Sequence, residues 1–205
     1  FLGSSVSAAD VLRQAELAMY QAKATERGAI RLFDVKMERD FVKRVAMERD
    51  LEDAIEQRQL ELHYQPQVDR HGSIIGAEAL IRWSHPELGA IPPLEFIRVA
   101  EESGQIRRLG GWILRTALRD LKERFSPSAG DEFSVSINVS AFQLYDPDFK
   151  DEVSKEVVAS GIRPSQLIIE LTESALLRTD IDVIEKMQAL KALGVRFSLD
   201  DFGTG

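Results

Sequence analysis

The sequence predicts an α/β fold built from parallel βαβ units. Five strand-like runs, at 60–68, 74–83, 133–140, 167–173 and 195–201, are separated by stretches whose apolar residues recur at helical spacing. Strands that alternate with helices pair in parallel, because a crossover helix carries the chain back to the same end of the sheet. Uninterrupted runs such as Leu167-Ile168-Ile169 fit strands covered on both faces. Four of the runs also carry an oxygen ligand toward their C-terminal portion, the end at which parallel α/β barrels build active sites.

The elements follow in order. Residues 7–24 read as a helix: Ser7 and Asp10 form a capping-box-like start, and Val11, Ala15, Ala18, Met19 and Ala22 recur at helical spacing. Gly28 stops that pattern, and Ala29-Ile30-Arg31-Leu32-Phe33 is expected to be a short strand. Residues 35–58 are dense in both charges around a broken stripe of Met37, Phe41, Val45, Leu51 and Ile55, which predicts an amphipathic connecting helix. After the second run, Pro92-Pro93 opens a helix through Phe96, Val99 and Ala100. Gly110-Gly111 reads as a break, with a further helix through Trp112, Leu114, Ala117, Leu118 and Leu121. Asp151–Ala159 and Ile181–Leu193 are two more helices, the second closed by Gly194.

Composition narrows the function. The chain has 205 residues, a net charge of −8 and 44% hydrophobic residues, which is globular. An acidic chain lacks the basic stripe that sequence-independent binding to a nucleic-acid polymer needs. No apolar run reaches the ~18 residues of a membrane span, so no membrane contact is expected within this segment. The absence of cysteine excludes disulfides, thiolate catalysis and Cys-ligated zinc, and fits the reducing cytoplasm.

The candidate chemistry lies at the strand ends. Glu78 sits in the second run, Asn138 in the third, Glu170 in the fourth, and Asp200-Asp201 end the fifth. Hard oxygen donors of this kind select Mg²⁺, Mn²⁺ or Ca²⁺ over Zn²⁺ or Cu²⁺. Adjacent Asp200 and Asp201 can serve two ions, which together clamp the attacking and leaving oxygens of a phosphoryl displacement. Period two places Glu78, Leu80 and Arg82 on one face, where the Arg82 guanidinium can fork onto a phosphate. Glu170 and Glu173 point oppositely along a regular strand, so one lines the centre and the other supports it. Structural alternatives exist for each: a strand Glu paired within the fold, Asp-Asp as a turn cap, Asn138 bonding backbone. His63, His71 and His85 lack ligand spacing and read as surface or strand residues.

Five motifs in order, ELHYQP at 61–66, GAEALIRW at 76–83, INVS at 137–140, ELTES at 170–174 and DDFGTG at 200–205, make residues 60–205 closely resemble the first part of the EAL domain. This is the cyclic di-GMP phosphodiesterase domain of bacterial signalling. Residues 1–34, with ADVLRQAELAMYQAK and RLFD, resemble the C-terminal tail of a GGDEF domain, the diguanylate cyclase fold, without the GGDEF motif itself. The implied organisation is a GGDEF tail at 1–34, a connecting helix at 35–58 and the N-terminal portion of an EAL domain at 59–205. The implied fold is α/β, about five of the eight strands of a modified (β/α)₈ TIM barrel with an antiparallel first strand.

The resemblance implies roles. Glu78, Asn138, Glu170 and Asp200 match the ligands of a first metal, and Asp201 a ligand of a second. Glu173 matches the glutamate that holds the loop after Asp201. Gln65, Leu80 and Arg82 match substrate-contacting positions. Glu78, Asp200, Asp201 and Glu173 are therefore the expected catalytic set. The implied reaction is hydrolysis of cyclic di-GMP to linear pGpG by metal-activated water, with Mg²⁺ or Mn²⁺, in a parent protein that is a homodimer. The alternative is a catalytically silent EAL-type receptor for cyclic di-GMP; a purely regulatory or dimerisation module is a third reading. The family's later Lys and Glu fall beyond Gly205 and the chain opens on Phe1, so the expectation is a longer parent protein and an inactive 205-residue piece.

Overall fold

A computed structural model describes residues 7–25, 29–57, 59–125, 133–172 and 181–200, with Ala24, Thr25, Thr172 and Asp200 described by their backbone only. By its internal contacts the chain divides into two compact units, 1–50 and 51–205. No helix among the described residues is long and apolar enough to cross a membrane.

The first unit holds α1 (Ala8–Thr25) and most of α2 (Val35–Glu56). The start of α1 is the box read from the sequence: the Asp10 amide donates to Ser7 Oγ at 3.1 Å, and the Ser7 hydroxyl donates back to Asp10 Oδ2 at 2.7 Å. The Ser7 hydroxyl, then the Ser7 amide, which also donates to Asp10 Oδ2 at 3.3 Å, hold the Asp10 carboxyl below its usual pKa. The Tyr20 ring meets Phe41 edge-on at 6.4 Å, and the Arg44 guanidinium lies 4.2 Å from the Tyr20 centroid. The expected strand at 29–33 does not form: residues 29–34 carry no regular structure. Ile30 and Leu32 are 90% and 85% exposed. An isolated extended segment has no ladder partner to satisfy its backbone, and propensity alone does not replace one.

The second unit is a mixed six-stranded sheet. Its strands are β1 (Leu60–Val68), β2 (Ile74–His85), β3 (Gly89–Ile91), β4 (Ser134–Val139), β5 (Leu167–Thr172) and β6 (Arg196–Asp200). The order is β1-β2-β4-β5-β6, with β3 a short addition to β2 that the sequence pattern did not reveal. β1 pairs antiparallel with β2 through a tight turn, whereas β2, β4, β5 and β6 run parallel. In that turn Asp69 Oδ1 accepts from the amides of His71 and Ser73, and Gly72 supplies the left-handed φ of 82°.

In β1, β2, β4 and β5 the apolar side chains gather on one face. Leu60, Leu62, Ala77, Ala79, Ile81, Trp83, Val135, Ile137, Val139, Leu167, Ile169 and Leu171 are all buried. The helices cover this face: α3 (Pro93–Ser103) sets Phe96 edge-on against Trp83, with ring centroids 5.5 Å apart. Also on the helical layer are α4 (Ile106–Asp120), the short α5 (Ala141–Leu144), α6 (Phe149–Ser160) and α7 (Ile181–Leu193). At the end of α7, Gly194 takes φ 109° as its amide bonds the Lys191 carbonyl. The residues between, Glu78, Ser136, Asn138 and Glu170, share the other face, so the strands are not apolar on both sides; Ile168 on that face is half-buried, unlike Leu167 and Ile169.

Two helix boundaries differ from the sequence reading. α6 begins at Phe149, ahead of Asp151. More informatively, Gly110-Gly111 does not break a helix, because α4 runs through both. A Cβ on Gly110 would lie 1.8 Å from Gln143 Nε2, and one on Gly111 would lie 2.5 Å from Glu152 Oε1. These glycines serve close packing of α5 and α6 on α4, which local pattern cannot distinguish from a stop.

Candidate functional site

The polar face of the sheet is the candidate site. Successive strands bring their polar residues into line by register. Gln65 on β1 stands opposite Glu78 on β2, and Glu78 is level with Ser136 on β4. Asn138 on β4 is level with Glu170 on β5, and Thr172 on β5 with Asp200 on β6. From β2 to β6 the oxygen donors thus step forward along the strands, by one same-face position at two of the three crossings. That stagger is what tilted strands in a curved, barrel-forming sheet require for side chains at one height to converge.

Side-chain contacts follow the register. Asn138 Nδ2 donates to Glu78 Oε1 at 2.7 Å, joining residues 60 apart in sequence. Gln67 Nε2 donates to Ser136 Oγ at 3.1 Å and to Glu170 Oε1 at 3.4 Å. Exposure rises outward: Glu170 is buried, Glu78 half-buried and Asn138 exposed. Glu78 stands one residue before the end of the stretch of β2 that pairs parallel with β4, which closes at Ala79, although β2 itself continues to His85.

The apolar face locks this alignment. A slip of one residue in β2 would move Ile81 and Trp83 to the polar side, and each such buried side chain contributes about 1.5–3 kcal/mol. The Asn138–Glu78 hydrogen bond contributes only about 0.5–1.5 kcal/mol net. The core therefore sets the site, not the reverse.

The remaining expected site residues are placed as follows. Leu80 stands opposite His63, and both belong to the polar face by register. Arg82 is half-buried opposite Glu61, with Nη1 donating to the Ile81 carbonyl at 2.8 Å. Gln65 is exposed. Asp200 has a register position but no described side chain, and Glu173 and Asp201 lie outside the described residues. Among the described residues no three Asp, Glu, His or Cys side chains converge. The donors that are described, Glu78, Asn138 and Glu170, are all hard oxygens and fit a Mg²⁺- or Mn²⁺-type ion. The histidines serve locally: His85 Nδ1 accepts from the amides of Glu87 and Leu88, and His63 Nε2 pairs with Glu61 at 2.8 Å.

Gln67 and Ser136 were not singled out from sequence. Their signal was present in the period-two series Gln65-Gln67 and Ser136-Asn138, but a single amide or hydroxyl in a strand is commonplace. Behind the sheet, the Tyr64 hydroxyl donates to Asp120 Oδ2 at 2.9 Å, and its ring meets Phe125 at 4.9 Å. Burial, then the Asp120 carboxylate, push the Tyr64 phenol well above its usual range. Burial likewise raises the Glu101 carboxyl on α3.

Comparison with known proteins identifies the family. The family model for the EAL domain matches residues 48–205. The bifunctional diguanylate cyclase/cyclic di-GMP phosphodiesterase MucR of Pseudomonas aeruginosa is 36% identical over 197 residues, 96% of this chain and 29% of its own length. The cyclic di-GMP phosphodiesterase PdeR of Escherichia coli is 36% identical over 195 residues, 95% of this chain and 29% of its own. The solved PaMucR phosphodiesterase in complex with c-di-GMP superposes with a TM-score of 0.74 at 38% identity, covering 78% of this chain and 65% of that one. The chain thus spans under a third of the length of these curated relatives. With the matched segment covering the whole sheet and its helices, the chain belongs to the EAL domain family.

Proposed function

We propose that the protein containing this chain hydrolyses cyclic di-GMP to linear pGpG in a metal-dependent reaction. The observation that carries the reading is the Asn138–Glu78 pair on the polar face, with Glu170 level with Asn138 and the Asp200 backbone one same-face position further along the neighbouring strand. Relatives named cyclic di-GMP phosphodiesterases support it.

In this reading Glu78, Asn138, Glu170 and Asp200 hold a first Mg²⁺ or Mn²⁺, and Asp201 contributes to a second. When bound, such ions lower the pKa of a water nucleophile and neutralise charge on the displaced oxygen. The chain's own residues bind and orient. Asn138, whose amide donates to Glu78, fixes the rotation of that carboxylate. Arg82 forks onto a phosphate of the dinucleotide, Gln65 and Leu80 contact it beside Glu78, and Glu173 steadies the segment after Asp201. Fold membership alone does not establish turnover, so the silent-receptor alternative is separated by experiment; retention of every signature residue within the chain favours the enzyme.

Residues 1–34 are read as the tail of a GGDEF domain and 35–58 as a connecting helix ahead of the EAL portion at 59–205. The MucR alignment, covering 96% of the chain, supports an upstream relationship because it reaches well before residue 48. A homodimeric, cytoplasmic parent protein completes the proposal. The test is pGpG release by the full-length protein with Mg²⁺ or Mn²⁺, and its collapse in Glu78→Ala while that variant stays folded. Unchanged turnover in Glu78→Ala removes Glu78 from the mechanism.

A further inference from the structure

Gln67 lies on β1, which carries none of the proposed metal ligands, yet it reaches two strands beyond its own partner. It stands opposite Gly76, next to the irregularity between Gln67 and Val68 where the β1–β2 register shifts. Such irregularities re-aim side chains. A Cβ at Gly76 would sit 2.6 Å from the Ser134 carbonyl, 2.9 Å from Ser134 Oγ and 3.3 Å from Gln67 Oε1. The missing side chain leaves a lane across β2, and the Gln67 amide crosses it to bond Ser136 on β4 and Glu170 on β5. Both acceptors are buried, at 0% and 9% exposure. A buried carboxylate needs donors that hold it in one orientation.

We infer that Gln67 is a positioning residue for Glu170, fixing the carboxylate's rotation before any ion arrives, with Gly76 providing the passage. The inference rests on the proposed ligand role of Glu170. A purely structural Gln67 would tie β1 to the sheet and affect stability alone; a positioning Gln67 sets metal affinity. Partners that hydrogen-bond to a ligand typically govern affinity by about 10–100-fold.

The test measures Mn²⁺ binding to the full-length protein, without substrate, by electron paramagnetic resonance of free Mn²⁺. Gln67→Met keeps the length of the side chain and removes its donor. Gln67→Asn keeps the amide but shortens its reach, and decides the question if Gln67→Met does not fold. Both are expected to weaken Mn²⁺ binding about 10–100-fold, while Ser136→Ala, which leaves the Gln67–Glu170 bond, changes it less than about threefold. Affinities of the Gln67 variants within about twofold of the parent overturn the inference and leave the proposed function standing. A parent protein that binds no Mn²⁺, and releases no pGpG with either Mg²⁺ or Mn²⁺, overturns both.

Discussion

Gly110→Ala is predicted to destabilise the EAL portion, opposite to the sign that helix propensity gives. In an exposed helix interior the change is favourable by about 1 kcal/mol. Here the new methyl would meet Gln143 Nε2 at 1.8 Å and Cδ at 2.8 Å, so the Gln143 side chain must leave its place. Gln143 is buried, and its Oε1 accepts from the Ser140 amide at 3.2 Å at the start of α5. Losing that capping bond costs about 0.5–2 kcal/mol, and forcing extra volume into a packed site about 1–3 kcal/mol. After the propensity gain, the net loss is about 2 kcal/mol. Gly111→Ala is the matched control: its Cβ meets Glu152 Oε1 at 2.5 Å and Arg115 Nη1 at 3.0 Å, the ends of partly exposed side chains that can swing aside. That variant should be neutral or slightly stabilising. Thermal unfolding should show a drop of about 4–8 °C for Gly110→Ala only. Hydrogen exchange over residues 139–146 should accelerate in the same variant, since Ser140 begins the turn that follows the Asn138 strand. A Gly110→Ala protein as stable as the parent, with unchanged exchange there, would refute the packing argument.

Other outcomes follow from single contacts. Tyr64→Phe removes the bond to Asp120 while Arg119 and Arg124 remain beside that carboxylate, so a loss of about 1 kcal/mol is expected in thermal or denaturant unfolding. The Tyr64 phenol is raised above its usual 10.0, so the stabilisation it gives is present below about pH 10 and lost as pH climbs past it; the alkaline fall in melting temperature should be shallower in Tyr64→Phe. Lys186, only 6% exposed, bonds Asp182 Oδ2 at 2.6 Å and the Asp146 carbonyl at 2.9 Å. Asp182→Ala leaves that ammonium with the Asp146 carbonyl but without its counter-charge and should cost more than Lys186→Met, which replaces it with an apolar chain; equal melting temperatures would argue that Asp182 does not matter to Lys186.

How much could be read before the fold was known differs by element. The strands were legible because short strand-like runs between stretches of helical spacing are a local signal; that one of their faces is polar emerged only with the fold. Glu78, Asn138 and Glu170 stood out because carboxylates and amides are costly inside apolar runs. Gly110-Gly111 was misread because a helix stop and a close helix contact look the same within a short window. The short β3 and the absence of a strand at 29–33 both depended on whether a partner lay alongside.

Local chemistry thus said which residues are ligand-like and which strand face they occupy. It could not say which residue of another strand each would meet. Asn138 reaches Glu78 across 60 positions, and Gln67 reaches Glu170 across 103. Those meetings are set by register, and register is chosen by the summed burial of Trp83, Ile81, Ile137 and Ile169 against the helices, a quantity that exists only once the chain has folded.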